Sequence, residues 1–333
     1  MKIFSQYVCN NLNAGPKAKV DVERILQNEF KCEVKTLKID KKIFSSKLSN
    51  RLFFIKKILF VRKNVKKGDR IIVQSPFSNQ KIITNMLKNQ TVLIHDIDGI
   101  RENDDEKIEK EVAFYKECKY VIAHNKKMKE FLVEHGVASD KIIELELFDY
   151  LCENEKEFES KSFDKENVRV VYAGNLKKSP FIQQIESEEI KFKFNLYGIG
   201  IEKDINDKMI YKGAFQPDEL PNKLEGDLGL VWDGNFDESD ENEGFKKYTK
   251  YNNPHKLSCY MAAGLPVVAW EKAAIADFII KNNVGYVIKN IYEINNIDFS
   301  DYEEKRKNAI EIGKKVRSGH FTKEAIRKIL SEL

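Results

Sequence analysis

Nowhere in 333 residues is there a run of about 18 apolar side chains, the length a helix needs to span a bilayer, so no spanning segment is expected. The opening stretch, "MKIFSQYVCNNLNAG", lacks the basic-then-apolar pattern of a secretion signal and reads as a short strand followed by a polar loop. Cysteine is sparse and odd in number: Cys9, Cys32, Cys118, Cys152 and Cys259 are scattered, with no C-x-x-C pair. Neither a disulfide framework nor a zinc site is indicated, and a reduced, cytoplasmic setting is expected. No internal repeat of solenoid period occurs. Nucleic acid is not expected as a partner either, because the basic residues come without an aromatic platform or a recognised binding module.

What the chain does have is 42% hydrophobic and 33% charged residues, enough for real cores and, at this length, for two domains. The net charge of +4 is unevenly placed. Residues 41–70 carry eleven Lys and Arg against a single acid, Asp69, and "RLFFIKKILFVRKNVKK" within them is amphipathic. This segment is either a surface helix whose lysines lie over its own apolar face or a surface for an acidic partner, peripheral membrane contact and a homo-oligomer included.

Strands alternate with helices along the chain. "KIFSQYV", "EVKTLKI", "RIIVQSP", "QTVLIHDID" and "CKYVIAHN" read as strands, separated by helical stretches such as "KAKVDVERILQNEF" and one over roughly Glu106–Glu117. A second series begins at "VRVVYAG" and runs through "FKFNLYGIG", "KMIYKGAF", "GDLGLVW", "LPVVAW" and "GYVI". The pattern predicts an α/β protein with two doubly wound, Rossmann-like parallel sheets. The expected boundaries are a domain over 1–152, a charged linker over 153–167, a second domain over 168–320 and a terminal helix over 321–333. Ligands of such sheets bind at the carboxyl ends of the strands, here in a cleft expected between the domains.

Two places at those ends hold lysine where it is electrostatically out of place. In "NNPHKLSCYMAAGLPVVAW" (252–270), Asn253-Pro254 predicts a helix start and Gly264 its end. Lys256 then falls in the first turn, where the helix dipole disfavours a cation by a few tenths of a kcal/mol. After "VRVVYAG", Lys177 and Lys178 stand beside a second predicted start, Ser179-Pro180. A bound anion reverses the sign at both, since backbone N–H groups, dipole and ammonium all attract it, and a diphosphate fits. The bland reading of either site is a solvated surface lysine. Residues 233–253 form a loop of about twenty residues, acidic first, with Lys246, Lys247 and Lys250 later. A loop of that length is expected to be a lid or simply disordered.

The series "VVYAGNLKK", "FNLYGIG", "IYKGAFQPDELPNKL", "GDLGLVW" and "NNPHKLSCYMAAGLPVVAW" resembles the nucleotide-sugar half of the GT-B glycosyltransferases, over most of residues 168–290. The resemblance implies that Lys177 or Lys178 and Lys256 neutralise the donor diphosphate, with Gly174 and Asn175 in the loop that opens the domain. It places Tyr211 and Gly213 by the base, and Asn252, Asn253 and His255 near phosphate or sugar. "HDIDGIR", "AHNKKMKEFLVEHGV" and "ELFDYL" narrow it to a small bacterial group. That group extends O-linked N-acetylglucosamine on serine-rich adhesins, and related members transfer galactofuranose or assemble polysaccharides. It implies a UDP-glucose donor, a glycan or glycopeptide acceptor, no cofactor and no required metal, and a terminal helix that crosses back to the first domain. One departure stands out. Many retaining GT-B enzymes carry two glutamates eight residues apart where this chain has Tyr251 and Cys259, so ribose recognition and stereochemistry are not carried over.

In the first domain, His95-Asp96 and His124 end two strands and are expected to face the cleft. An Asp or His there would orient or deprotonate an acceptor hydroxyl, while the plainer reading is a polar strand end capping the next loop. Asn13 and Gly15, in the loop after the first strand, and Lys246 are candidates for acceptor or loop contacts. No D-x-D motif of the metal-dependent kind is read, and no metal ligand is assigned. Two other functions remain open on the same fold: a nucleotide-sugar epimerase, and a non-catalytic partner subunit.

Overall fold

The structure is a computed structural model and describes residues 1–8, 15–39, 47–78, 80–152, 162–201, 205–235 and 244–331. The chain divides into two compact units, one of Met1–Glu146 with Phe321–Leu333 and one of Leu147–His320. Each is a six-stranded parallel sheet covered by helices, the α/β architecture read from the alternation.

Unit 1 opens with β1 (Lys2–Val8), α1 (Lys17–Phe30), β2 (Glu33–Ile39), α2 (Lys47–Asn64), β3 (Ile71–Ser75) and α3 (Lys81–Leu87). It continues with β4 (Thr91–Ile94), α4 (Asp98–Glu102), α5 (Asp105–Glu117), β5 (Tyr120–Ala123), α6 (Lys126–Glu134) and β6 (Ile142–Glu144). The strand order is β2-β1-β3-β4-β5-β6, so the topology reverses direction between β1 and β3. β3 and β5 are buried at every position, as a parallel strand covered on both faces requires. The helix expected over roughly Glu106–Glu117 is α5, capped by the Asp104 carboxylate, which accepts from the Lys107 amide at 3.0 Å; a short α4, ended by Asn103 at φ 54°, precedes it.

Unit 2 runs β7 (Arg169–Ala173), α7 (Phe181–Gln184), β8 (Lys193–Tyr197), β9 (Met209–Gly213), α8 (Leu220–Lys223) and β10 (Leu228–Val231). Then come α9 (Gly244–Thr249), α10 (His255–Ala263), β11 (Val267–Trp270), α11 (Ile275–Lys281), β12 (Gly285–Ile288) and α12 (Tyr302–Arg317). Its order, β12-β11-β10-β7-β8-β9, reverses between β7 and β10. α10 is buried from Leu257 to Ala263, and α12 reaches it because Gly313 has no side chain: a Cβ there would lie 2.2 Å from the Met261 carbonyl oxygen. The last helix, α13 (His320–Ser331), belongs to unit 1 from Phe321 onward. Of the expected linker, 153–161 lie outside the described residues; Phe163, just after them, stacks on Tyr302 at 3.7 Å within unit 2. Among the described residues no helix is long and apolar enough to cross a membrane.

Candidate active site

In unit 2 the reversal point brings together the loops after β7 and β10. α10 points its first turn there, starting at His255 with Pro254 extended ahead of it (φ −61°, ψ 134°) and no side-chain cap. Lys256 reaches back to the end of β10: its Nζ donates to the Asp233 Oδ1 at 2.8 Å and to the Trp232 carbonyl at 3.2 Å. It also stands 4.9 Å from the centre of the Tyr172 ring. Burial alone would lower the lysine pKa; the Asp233 charge, the neighbouring Tyr172 hydroxyl and the Asp233 hydrogen bond outweigh it and hold the pKa above its ordinary value. A permanently charged ammonium therefore sits at the switch point. Asp233 is the partner that sequence reading missed. Gly174 borders it, and a Cβ at that position would lie 3.2 Å from the Lys256 Cε.

The glycines at the ends of β7, β8 and β9 interlock. Gly198 has φ +131°, and a Cβ on it would meet the Gly174 carbonyl oxygen at 1.8 Å. Its amide donates to the Gly213 carbonyl at 2.9 Å, and the Tyr211 hydroxyl donates to the Gly198 carbonyl at 2.9 Å. Gly174, Tyr211 and Gly213 thus share one edge. Asn175, Lys177 and Lys178 are exposed beside Gly174, but the expected helix start is different: Leu176–Lys178 form a 3-10 turn, and α7 beyond it has only four residues. Ser179 is taken up by Tyr172, Oγ to hydroxyl at 2.6 Å, and gives no cap to α7. The dipole argument therefore applies to Lys256 alone; Lys177 and Lys178 act, if at all, as charges on a loop.

The other candidates of this unit differ in how committed they are. The His255 ring stacks on Tyr150 at 4.7 Å, and its Nε2 donates to the Asp149 carbonyl at 3.1 Å, which ties α10 to the segment after β6. Asn253 is buried. Asn252 keeps a buried Oδ1 with no hydrogen-bond partner among the described residues, an acceptor in want of a donor. Lys246, in α9, is 2% exposed, its ammonium 3.8 Å from the Trp232 ring centre and 4.8 Å from that of Trp270. The acidic part of its loop, 236–243, lies outside the described residues.

In unit 1 the reversal point holds a polar chain. The His95 Nε2 and Gln74 Oε1 are 2.7 Å apart, and Gln74 Nε2 donates to Ser5 Oγ at 2.5 Å. Since an amide oxygen only accepts, this nitrogen of His95 carries the proton. Asp96 pairs with Arg101 at 3.2 Å and Asp98 with the same guanidinium at 2.5 Å. Asp96-Ile97-Asp98 does have D-x-D spacing, which sequence reading passed over, and Arg101 takes up both carboxylates. Among the described residues no group of three His, Cys, Asp or Glu is placed to hold a metal ion. Lys19, beside these acids, has its pKa lowered to about 8 by burial, with the Asp96, Asp98 and Glu23 charges opposing the shift.

His124 corrects an expectation. Its side chain is 1% exposed, its Nε2 donates to the Ile94 carbonyl at 2.9 Å, and burial lowers its pKa to about 4. It is a neutral cross-strand strut, withdrawn from solvent. Asn125 caps α6, accepting from the Met128 amide at 2.9 Å. Of the loop candidates, Gly15 is exposed in the turn before α1, and Asn13 lies outside the described residues.

Comparison with known proteins matches both halves. The N-terminal domain of the glucosyltransferase 3-like family matches residues 3–147 and its C-terminal domain residues 170–329. Beta-1,6-galactofuranosyltransferase WbbI of Escherichia coli (strain K12) is 34% identical over 249 residues, 72% of this chain and 71% of that protein. Glucosyltransferase 3 of Streptococcus parasanguinis is 24% identical over 281 residues, 80% of this chain and 78% of that one. Among solved structures, Anabaena HepE in complex with UDP and glucose superimposes with a TM-score of 0.60 at 13% identity, both chains covered in full. This last likeness is one of fold.

Proposed function

The chain belongs to the glucosyltransferase 3-like family of GT-B glycosyltransferases, and from that premise we propose that it moves glucose from UDP-glucose onto a sugar acceptor, N-acetylglucosamine on a serine-rich glycoprotein. Membership in a family of transferases sets aside the epimerase and the non-catalytic subunit. The observation that carries the donor assignment is the Lys256 ammonium, held charged by Asp233 at the β7/β10 reversal beside Gly174. Ligands of doubly wound sheets settle at that point, and the missing side chain of Gly174 gives Lys256 room to reach it.

In the proposed reaction the bond between the sugar's anomeric carbon and the diphosphate oxygen breaks as the acceptor oxygen bonds to that carbon. The acceptor hydroxyl passes its proton to solvent as UDP leaves. Negative charge grows on the departing diphosphate, and a cation fixed beforehand stabilises that charge without reorganisation. Lys177 and Lys178 add charge from the neighbouring loop. Tyr211 and Gly213 lie by the base, and Asn252, with its unused Oδ1, takes a hydroxyl or amide of the donor. His95 and Asp96 orient the acceptor. UDP-sugar is a substrate in this scheme, and no resident cofactor or metal takes part.

A second reading has its own support: the galactofuranosyltransferase is 34% identical where the streptococcal glucosyltransferase is 24%, so UDP-galactofuranose is the alternative donor. Purified protein is incubated with either donor and with N-acetylglucosaminyl peptides or a galactose- or glucose-terminated glycan. UDP release that needs UDP-glucose and the N-acetylglucosaminyl acceptor is the expected result. Release with UDP-galactofuranose alone transfers the assignment to the second reading, and release with neither refutes both.

A further inference from the structure

α2 is apolar on two opposite faces, and among the described residues only one of them is covered. Inward, Phe53 and Val61 are buried, Phe53 with Leu37 and Ile39, and Phe60 packs against that cluster. Lys57 is also on this side, its ammonium donating to the Phe77 carbonyl at 2.5 Å. Outward, Leu48, Leu52, Ile55 and Leu59 are 68, 59, 52 and 58% exposed. Their spacing of four, three and four residues places them in one line, since a turn holds about 3.6 residues, and the line is about 16 Å long. At about 100° per residue, Arg51 and Arg62 fall along one margin of it and Lys56 and Lys63 along the other. Lys66, Lys67 and Arg70 follow, and no acidic residue occurs between Lys47 and Gly68.

A helix facing only water would carry polar residues in that line, and an aligned apolar row of this kind marks an interaction surface. A second copy docking face to face would bring its own arginines and lysines against these. An anionic lipid surface satisfies both features together: acyl chains receive the leucines and headgroup phosphates receive the basic margins. We propose that α2 anchors this transferase flat on an anionic bilayer. Leu48, Leu52, Ile55 and Leu59 enter the boundary between headgroups and acyl chains, while Arg51, Lys56, Arg62 and Lys63 meet the phosphates.

Flotation with vesicles tests this on the full chain. Vesicles containing phosphatidylglycerol should carry the protein upward, and vesicles of phosphatidylcholine alone should leave it behind. Each basic residue near such a surface changes partitioning roughly fivefold, so Lys56→Glu/Arg62→Glu/Lys63→Glu should weaken binding by at least about a hundredfold. Leu52→Ser/Ile55→Ser should release the protein as well. All five side chains face away from the core, so both variants should keep the parent's melting temperature and UDP release with soluble acceptor. The proposal fails if the parent does not float with phosphatidylglycerol, or if both variants float as it does. It fails equally if sedimentation shows a concentration-dependent dimer, broken by the same substitutions, without vesicle binding; the face would then belong to a second copy.

Discussion

Glu111→Gln should change the way unit 1 responds to pH. Glu111 is 2% exposed, and its two oxygens accept from the Asp98 amide at 3.1 Å and the Gly99 amide at 2.9 Å, holding the start of α4 directly after His95 and Asp96. Burial pushes its pKa from 4.5 to about 7; the two amide bonds and Lys107 oppose the shift, and the Asp98 charge adds to it. An acid whose folded pKa is raised stabilises the fold fully below its unfolded value and loses that contribution as pH climbs to the folded one. Over this interval of about 2.5 pH units the loss is about 3 kcal/mol. His124 runs the other way: lowered from 6.5 to about 4 by burial, it contributes stability above 6.5 that is lost as pH falls toward 4. The two slopes cancel between about 4.5 and 6.5. Glutamine is a neutral stand-in for the protonated acid, and misdirecting one amide bond costs it a constant offset of about 1 kcal/mol. Urea unfolding followed by far-ultraviolet circular dichroism, from pH 4 to 8, would show the variant gaining about 3 kcal/mol on the parent across the window. Tryptophan fluorescence supplies the reference, because Trp232 and Trp270 both lie in unit 2. Parallel curves with a constant separation would refute the reasoning.

Lys256→Met should weaken UDP binding by roughly ten- to a hundredfold, the worth of one charge-assisted hydrogen bond at about 1.5–3 kcal/mol; calorimetry with UDP that shows undiminished affinity would remove Lys256 from the donor site. Lys57, its pKa lowered to about 8 by burial and by the like charge of Lys19, costs the fold stability while charged. The advantage of Lys57→Met over the parent should therefore be largest below pH 8 and shrink by about 3 kcal/mol toward pH 10.5, readable from chemical denaturation. Gly198→Ala should destabilise unit 2 by on the order of 3 kcal/mol, whereas Gly68→Ala, at φ +89° with nothing within 4 Å of the added carbon, should cost about 1 kcal/mol; equal melting points for the two variants would contradict this.

The parallel sheets were legible because several strands, β5, β10 and β11 among them, are short apolar runs buried at every position. The end of α10 was too, since Gly264 at φ 71° closes the helix where the residue type suggested. α12 was harder to see for a physical reason: its buried stripe of Tyr302, Ala309, Ile312 and Val316 is thin, with Lys305 and Gly313 adding no apolar side chain to it. Asp233 was hidden because nothing in an acidic loop distinguishes a carboxylate that folds onto a lysine 23 residues on. His124 misled because strand-end position says where a backbone leads and leaves open whether the ring turns in or out. The opposite faces of α2 blurred its pattern, because apolar residues on both sides make the periodicity weak.

The nesting of Gly198 against Gly174 ties two loops into one mechanical part. Lengthening or rebuilding either to suit a different sugar would push on the other, which borders Lys256. A lineage exchanging one donor for another would therefore find its freedom in loops that touch neither glycine nor Asp233, the carboxylate that holds Lys256.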